Sequence, residues 1–184
     1  MIRLDYDLIN VEMIEEAYKS RPYHNLERLK TVRKHLAKAL CVDVLPFWLQ
    51  EAIFHHDVVC EPLSKINEKL SCAVYVAECY SDNDCPDDRV MRAILATKDH
   101  RKTGDHEIDS FLDADRAILG ANELDYKIYL IDIRKEYSVL SDDEFKAGRL
   151  AFIDSFTGFH TKYFQDNFSE NVEINFKMER GMYL

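Results

Sequence analysis

The chain has 184 residues, of which 34 are acidic and 24 are basic, so its formal net charge at pH 7 is -10. This length suffices for one domain with a full hydrophobic core that needs neither disulfides nor a structural metal. The acidic balance opposes binding to extended nucleic acid, because phosphate backbones attract basic surfaces. A small phosphate ester is not excluded, since a metal and a few local cations can reverse the field inside one cleft.

The cysteines and the N-terminal sequence indicate where the protein resides. The five cysteines form no CxxC pair and are odd in number, which argues against a disulfide framework and favours small core-filling thiols in a reducing compartment. Residues 1–5 do not open a basic segment followed by an apolar stretch, and no uncharged run approaches the roughly 18 residues of a membrane span. We therefore expect a cytoplasmic protein without membrane association. The sequence does not indicate its oligomeric state.

The elements expected along the chain are all helical, because glycine and proline are rare and apolar residues recur three or four positions apart. The predicted helices, in chain order, cover residues 10–19, 26–40, 44–59, 67–80, 90–97, 106–119, 126–137, 142–156 and 167–182. In the fourth of them, Leu70, Ala73, Val74 and Ala77 are expected to face the core. Gly120 is expected to cap the helix before it. No repeat or linker divides the chain, so residues 1–184 are predicted to form one all-α domain.

Three places on these helices carry side chains that suit a divalent cation. His24 stands at the entrance of the second helix, and His56-Asp57 lies near the last turn of the third. Neighbouring residues on a helix point about 100° apart, so one ion meets both only at a helix end or from a flank. Asp115 lies in an otherwise interior stretch, and a buried carboxylate needs a cationic partner, either a metal or a nearby arginine. For the histidines, the alternative is a capping or partly exposed residue without a ligand role.

Further local patterns accompany these residues over nearly the whole chain. They are Arg21-Pro22-Tyr23-His24-Asn25-Leu26, Phe54-His55-His56-Asp57-Val58-Val59, Asn67-Glu68 with Ser71, Thr97 with His100, Asp113-Ala114-Asp115 with Ile118-Leu119-Gly120, Tyr126, Tyr129, Arg134, Glu136-Tyr137, Arg149, Glu170, Asn175 and Glu179. In order and character they resemble the HD-domain superfamily of metal-dependent phosphohydrolases. The likeness is closest to the branch described as predicted metal-dependent HD phosphohydrolases.

The resemblance implies an HD-type helical bundle that hydrolyses a phosphate ester, for example a nucleotide, with a metal-activated water. The implied ligands of the metal, which would be Mn, Fe, Co, Ni, Zn or Mg, are His24, His56, Asp57 and Asp115, with His100 as a further candidate. Asp57 would accept the proton of the nucleophile, and Glu68 and Glu61 are candidate general acid/base residues. The cations nearest to the motifs, and so the candidate phosphate ligands, are Arg21, Lys65, Lys69 and Lys98. Arg134, Glu136 and Tyr137 either support the site from outside or tie two helices together.

Departures from the branch pattern keep a second hypothesis open. The branch usually has a second histidine four residues after the first, and Arg28 stands at that position here. A cation cannot ligate a metal, although Arg28 could turn inward to meet a phosphate. Cys60-Glu61 stands where an aromatic residue and an aspartate are more usual. The alternative function is therefore a non-catalytic protein that uses the HD scaffold to bind a nucleotide or a protein partner.

Overall fold

The structure, a computed structural model, describes residues 11–81 and 83–183, with side chains from residue 14 onward. Its elements in chain order are α1 (Val11–Lys19), α2 (Leu26–Ala39), α3 (Phe47–His55), α4 (Asn67–Ser81), α5 (Asp88–Ala96), α6 (His106–Asp115), a 3-10 helix (Ala117–Gly120), α7 (Glu123–Glu136), α8 (Asp142–Ser155) and α9 (Lys162–Met182). No strand occurs in these two ranges, which confirms the predicted all-α class. Residue 10, at which the first predicted helix begins, lies outside the described residues.

Two short helices, α3 and α6, lie at the centre of the core and carry the candidate site at their ends. In α6 every residue from Ile108 to Asp115 is buried. Its polar members are satisfied from neighbouring loops, because Asp109 accepts hydrogen bonds from the Thr103 and Gly104 backbone and Asp113 accepts them from the Thr161 backbone and hydroxyl. Buried carboxylates are tolerated when they are bonded in this way. These bonds hold the loop before α6 against its N-terminal half and the segment before α9 against its C-terminal half.

The prediction of which face of α4 points to the core is wrong. Ala73 and Ala77 are exposed, and Leu70 is 42% exposed. Ser71 and Tyr75 face the core instead. The Ser71 hydroxyl exchanges hydrogen bonds with the Val59 N–H and carbonyl, and the Tyr75 hydroxyl accepts one from the Asp87 N–H. Hydrogen bonds to the segments after α3 and before α5 therefore set the rotation of α4 about its axis. Its small apolar residues are spread evenly around the helix, so their spacing alone left this rotation undetermined.

The predicted capping role of Gly120 is wrong, because Arg116 is the C-cap of α6 and Ala121 that of the 3-10 helix, in which Gly120 is the last residue. The role of Gly120 is close packing. A Cβ built on Gly120 would lie 2.6 Å from the Phe168 Cβ and would overlap the Phe168 carbonyl. Asn175 strengthens the same contact by donating hydrogen bonds to the Leu119 and Ala121 carbonyls. Only glycine lets α9 approach the chain this closely.

A buried ion pair joins the last three helices. Arg149 in α8 donates from Nε and Nη2 to the Glu179 carboxylate in α9, at 2.7 and 2.9 Å. Two tyrosines of α7 complete the network, since Tyr126 donates to Glu179 and the Tyr129 hydroxyl accepts from Arg149 at 2.7 Å.

Among the helices described, none combines the length and apolar character that crossing a bilayer requires.

Candidate functional site

The four predicted ligands lie together at the ends of α3 and α6 and at the start of α2. His56 Nε2 lies 3.0 Å from Asp57 Oδ2 and 3.2 Å from Asp115 Oδ1. His24 Nε2 is 3.9 Å from Asp57 Oδ2. The ligand atoms of His56, Asp57 and Asp115 all fall within 4.8 Å of one another, which is the spacing that one ion requires. We call His24, His56, Asp57 and Asp115 the HD cluster.

The end of α3 aims its two residues at one point. His56 is the C-cap of α3, so this pair stands at the helix end, where one ion can meet both residues. The His56 Nδ1–H donates to the Ile53 carbonyl at 2.8 Å, which turns Nε2 toward the cluster. Arg21 braces the turn by donating to the Asp57 carbonyl and, at 2.8 Å, to the Val58 carbonyl. Both terminal nitrogens of this predicted phosphate ligand thus bind the backbone.

His24 is oriented by Glu136 from the last residue of α7. One Glu136 oxygen accepts the backbone N–H groups of Tyr23 and His24 at 2.8 and 2.7 Å, and the other accepts the His24 Nδ1–H at 2.5 Å. The neighbouring Asn25 caps α2 by accepting the Arg28 N–H. Of the two roles left open for Glu136, support of the site from outside is the one its contacts describe.

His100 reaches the cluster from the loop after α5. Its backbone adopts a left-handed conformation, with φ of 48°, and its Nε2 lies 2.9 Å from Asp115 Oδ2. Each oxygen of the buried Asp115 carboxylate therefore has a nitrogen partner.

Arg28 places a guanidinium group in the middle of the HD cluster. Its Nη1 donates to Asp57 Oδ2 at 3.0 Å and lies 3.2 Å from His56 Nε2, while its Nη2 donates to Asp115 Oδ1. The Arg28 side chain is 10% exposed and stacks on the Tyr23 ring at 5.1 Å. Arg28 is thus an arginine partner for Asp115, one of the two kinds of partner expected from the sequence.

The charges of the cluster reinforce one another. Burial lowers the pKa of His56, but the charges of Asp57 and Asp115 outweigh burial and raise it to about 10. For His24 burial again opposes the charge of Asp57, and its pKa rises to about 9. Burial raises the pKa of Asp115, but Arg28 and His56 hold it well below its ordinary value. The cluster is thus a set of paired ions.

The cluster has the donors for a divalent ion but lacks the room for one while Arg28 is in place. Two imidazole nitrogens and two carboxylates are a suitable ligand set for Mn, Co or Zn. The guanidinium, however, bonds to the same oxygens of Asp57 and Asp115 that the ion would need. A resident metal therefore does not fit this arrangement of side chains.

Lys98 is the one lysine among the predicted site residues that lines the cavity in front of the cluster. This cavity of 470 Å³ is bordered by His24, Arg28, Lys98 and His100. Its lining does not include Glu61, Glu68, Lys65 or Lys69. Within the described ranges, Glu61 and Glu68 form no ion pair with the cluster, so their predicted catalytic roles have no contact to support them.

Three features near the site were not predicted from the sequence. They are the position of Arg28 at the centre of the cluster, the presence of Arg116 beside the site, and the presence of His160. His160 precedes α9 and donates from Nε2 to the His100 carbonyl at 2.7 Å, across 60 residues of sequence. No periodicity or motif signals such a contact. For Arg28, the available signal was the absence of the second histidine that the resembled branch usually has at this position.

Behind the cluster, Glu51 and Glu78 flank the buried ring of His55. His55 Nε2 lies 2.5 Å from Glu78 Oε2, and His55 Nδ1 lies 3.6 Å from Glu51 Oε2. Glu51 Oε1 is buried without a hydrogen-bond partner. Burial raises the pKa of Glu51 to about 7, with the His55 charge opposing the shift and Glu78 adding to it. The folded state therefore favours protonated Glu51.

Replacing Glu51 by glutamine should stabilise the protein at high pH. A raised pKa in the folded state means that stability is lost as pH rises from about 4.5 to about 7, since the unfolded chain releases the proton first. We expect Glu51→Gln to gain ~2 kcal/mol of unfolding free energy at pH 8 and almost none at pH 4.5, measured by urea denaturation. Glu170→Gln, at an exposed position in α9, is the control. Equal gains at both pH values would contradict the prediction.

No protein-family model, no curated protein and no solved structure matches this chain.

Proposed function

We propose that this protein is an HD-type helical protein that binds a small phosphorylated molecule without a resident metal. Arg28 supplies the positive charge that a divalent ion would otherwise bring to the cluster. The observation that carries the proposal is the guanidinium of Arg28, which donates to both Asp57 and Asp115. This is the non-catalytic alternative that the departure at position 28 kept open.

The energetic argument concerns what an incoming ion would have to displace. A hydrogen bond to a charged group contributes about 1.5–3 kcal/mol, so breaking both bonds of Arg28 costs about 3–6 kcal/mol. Each 1.4 kcal/mol is a tenfold change in affinity, so the metal would bind about 10²–10⁴-fold more weakly than to a free cluster. Arg28 also stands where the resembled branch has an imidazole. Its replacement of that side chain removes a donor and adds a competitor.

The cavity in front of the cluster supplies the features that a phosphorylated ligand needs. Its volume of 470 Å³ is within the range of small-molecule sites. Arg28, Lys98 and Arg116 contribute positive charge to its wall, and aromatic rings, including Tyr129 and Phe152, contribute apolar surface. Guanidinium groups suit phosphate oxygens because their N–H groups form a planar fork.

Metal-dependent hydrolysis of a phosphate ester is the second candidate, and the orientation of the two histidines favours it. His24 and His56 both donate Nδ1–H to an oxygen, on Glu136 and Ile53 respectively, and both direct Nε2 toward the cluster. Metal-binding histidines usually have such a partner on the second nitrogen. If Arg28 moved aside, His24, His56, Asp57 and Asp115 would hold the ion. When bound, the ion would supply a water of lowered pKa.

Metal analysis combined with ligand binding separates the two candidates. The purified protein is incubated with Mn²⁺, Co²⁺, Zn²⁺ or Mg²⁺, desalted and measured by mass spectrometry, and nucleoside monophosphates are titrated by calorimetry in EDTA. We expect far less than one metal per chain, nucleotide binding in EDTA, and no release of phosphate. About one metal per chain with metal-dependent phosphate release, both lost in His56→Ala/Asp57→Ala, would establish the hydrolase and overturn the proposal. Binding of no phosphorylated compound would also overturn it.

A further inference from the structure

A second cavity adjoins the one in front of the HD cluster and is strongly basic. It has a volume of 520 Å³, and its cationic lining consists of Lys98, Arg101, Lys102 and Arg116, with His100 and His160 beside them. We call it the basic cavity. Lys98, His100 and Arg116 border both cavities, so the two spaces adjoin at these side chains. Four cations meet at one cleft of a chain whose net charge is -10, which is the local reversal of field that attracts an anion.

Arg116 has one donor, Nε, that no protein group satisfies. Its Nη2 is 3.4 Å from Asp113 Oδ1, and its buried Nε has no hydrogen-bond partner. Asp113 cannot neutralise it fully, because that carboxylate already accepts N–H groups of His160 and Thr161 and the Thr161 hydroxyl. A guanidinium in this condition favours an additional anion.

His160 does not relieve Arg116. His160 Nε2 lies 3.2 Å from Arg116 Nη2, but it must carry a proton because it donates to the His100 carbonyl. Two N–H groups facing each other form no hydrogen bond. Asp99 is the acidic residue in the lining of the basic cavity, and its Oδ2 lies 4.0 Å from Arg101 Nε. The acidic partners available in the lining are therefore fewer than the cations.

Two phenylalanines form the apolar wall of the same space. Phe152 and Phe156 line the basic cavity, and the Arg116 guanidinium lies 5.2 Å from the centre of the Phe156 ring. An aromatic wall next to cations suits a ligand with a flat ring and a phosphate, because bases stack on such rings while guanidinium groups bind phosphate oxygens.

We infer that the basic cavity holds the phosphate of a nucleotide, with Arg116, Arg101 and Lys102 as its phosphate ligands and Phe152 and Phe156 against its base. This inference rests on the proposed function and specifies where the phosphorylated ligand binds. It moves the phosphate away from Arg21, Lys65 and Lys69, the cations nearest to the motifs in sequence.

Calorimetric titration with ADP and with pyrophosphate, in EDTA, tests the inference. Arg101 and Lys102 are exposed, so Arg101→Gln/Lys102→Gln should fold normally. We expect it to weaken ADP binding at least tenfold. Arg116→Lys retains the charge but loses the planar fork, and it should weaken binding to a similar degree while its melting temperature verifies folding. The matched control is Lys34→Gln/Lys38→Gln, which removes the same charge from another basic surface, on α2, and should change affinity less than twofold.

The outcomes separate this inference from the proposed function. ADP binding that is unchanged in Arg101→Gln/Lys102→Gln and in Arg116→Lys would overturn the inference and leave the proposed function standing. A larger loss in the α2 control would place the phosphate on that surface and would also overturn it. If the natural protein bound neither ADP nor pyrophosphate, the inference would be overturned, and if it also bound none of the nucleoside monophosphates, the proposed function would fail with it.

Discussion

Arg28→His should convert this protein into a divalent metal binder. The substitution removes the guanidinium that bridges Asp57 and Asp115 and introduces an imidazole in the first turn of α2, four residues after His24. Because the ion no longer displaces two charge-assisted hydrogen bonds, we expect Zn²⁺ and Mn²⁺ affinity to rise at least ~100-fold. The measurements are metal content after desalting and the dependence of the melting temperature on metal concentration, which rises when the folded state binds the ion.

Two further variants at position 28 distinguish loss of the competitor from gain of a ligand. Arg28→Lys keeps a cation beside Asp57 and Asp115 and should bind metal as poorly as the natural protein. Arg28→Ala removes the competitor without adding a donor, so its affinity should fall between those of the lysine and histidine variants. If the natural protein bound metal as tightly as Arg28→Ala, Arg28 would not occupy the place of the ion, and the proposed function would fail.

Of the substitutions considered for this chain, Glu179→Ala should cause the largest loss of unfolding free energy. Glu179 has no exposed surface and accepts two hydrogen bonds from Arg149, so the substitution leaves a buried guanidinium with only the Tyr129 hydroxyl. Breaking one side of a buried ion pair costs about 3–5 kcal/mol. Tyr126 loses its acceptor as well. Urea denaturation, followed by circular dichroism, measures the loss of unfolding free energy.

The exposed pair Arg180–Asp154 joins the same two helices and gives a matched control. Its side chains are 42% and 66% exposed, and surface ion pairs contribute between 0 and about 1 kcal/mol. Asp154→Ala should therefore change stability by less than about 1 kcal/mol. A loss in Glu179→Ala no greater than in Asp154→Ala would show that the Arg149 network does not hold α7, α8 and α9 together.

Helix boundaries show where local patterns stop being informative. Apolar spacing predicted the helices, but α3 begins at Phe47 rather than at Val44, and α9 begins at Lys162 rather than at Asn167. Pro46 is the N-cap of α3 and Thr161 that of α9. Thr161 is held there by Asp113, a partner 48 residues away. Spacing cannot register a cap that a distant side chain supports.

In the candidate site, too, one part could be predicted from the sequence and another could not. The types and order of His24, His56, Asp57 and Asp115 pointed to one cluster through the family resemblance, and the structure places these side chains together. The same order gave no sign of which cation Asp115 would meet.

By itself, the sequence determined the helical class of this protein, because periodicity is a local property, and its resemblance to a known family pointed to the four side chains of the cluster. The tertiary structure alone decided that a guanidinium occupies the centre of that cluster. Arg28 reaches Asp57 across 29 residues and Asp115 across 87. The basic cavity likewise combines Lys98 and Arg116 with His160 from before α9. Such electrostatic pairings depend on distances in space, and only the packing of the helices sets those distances.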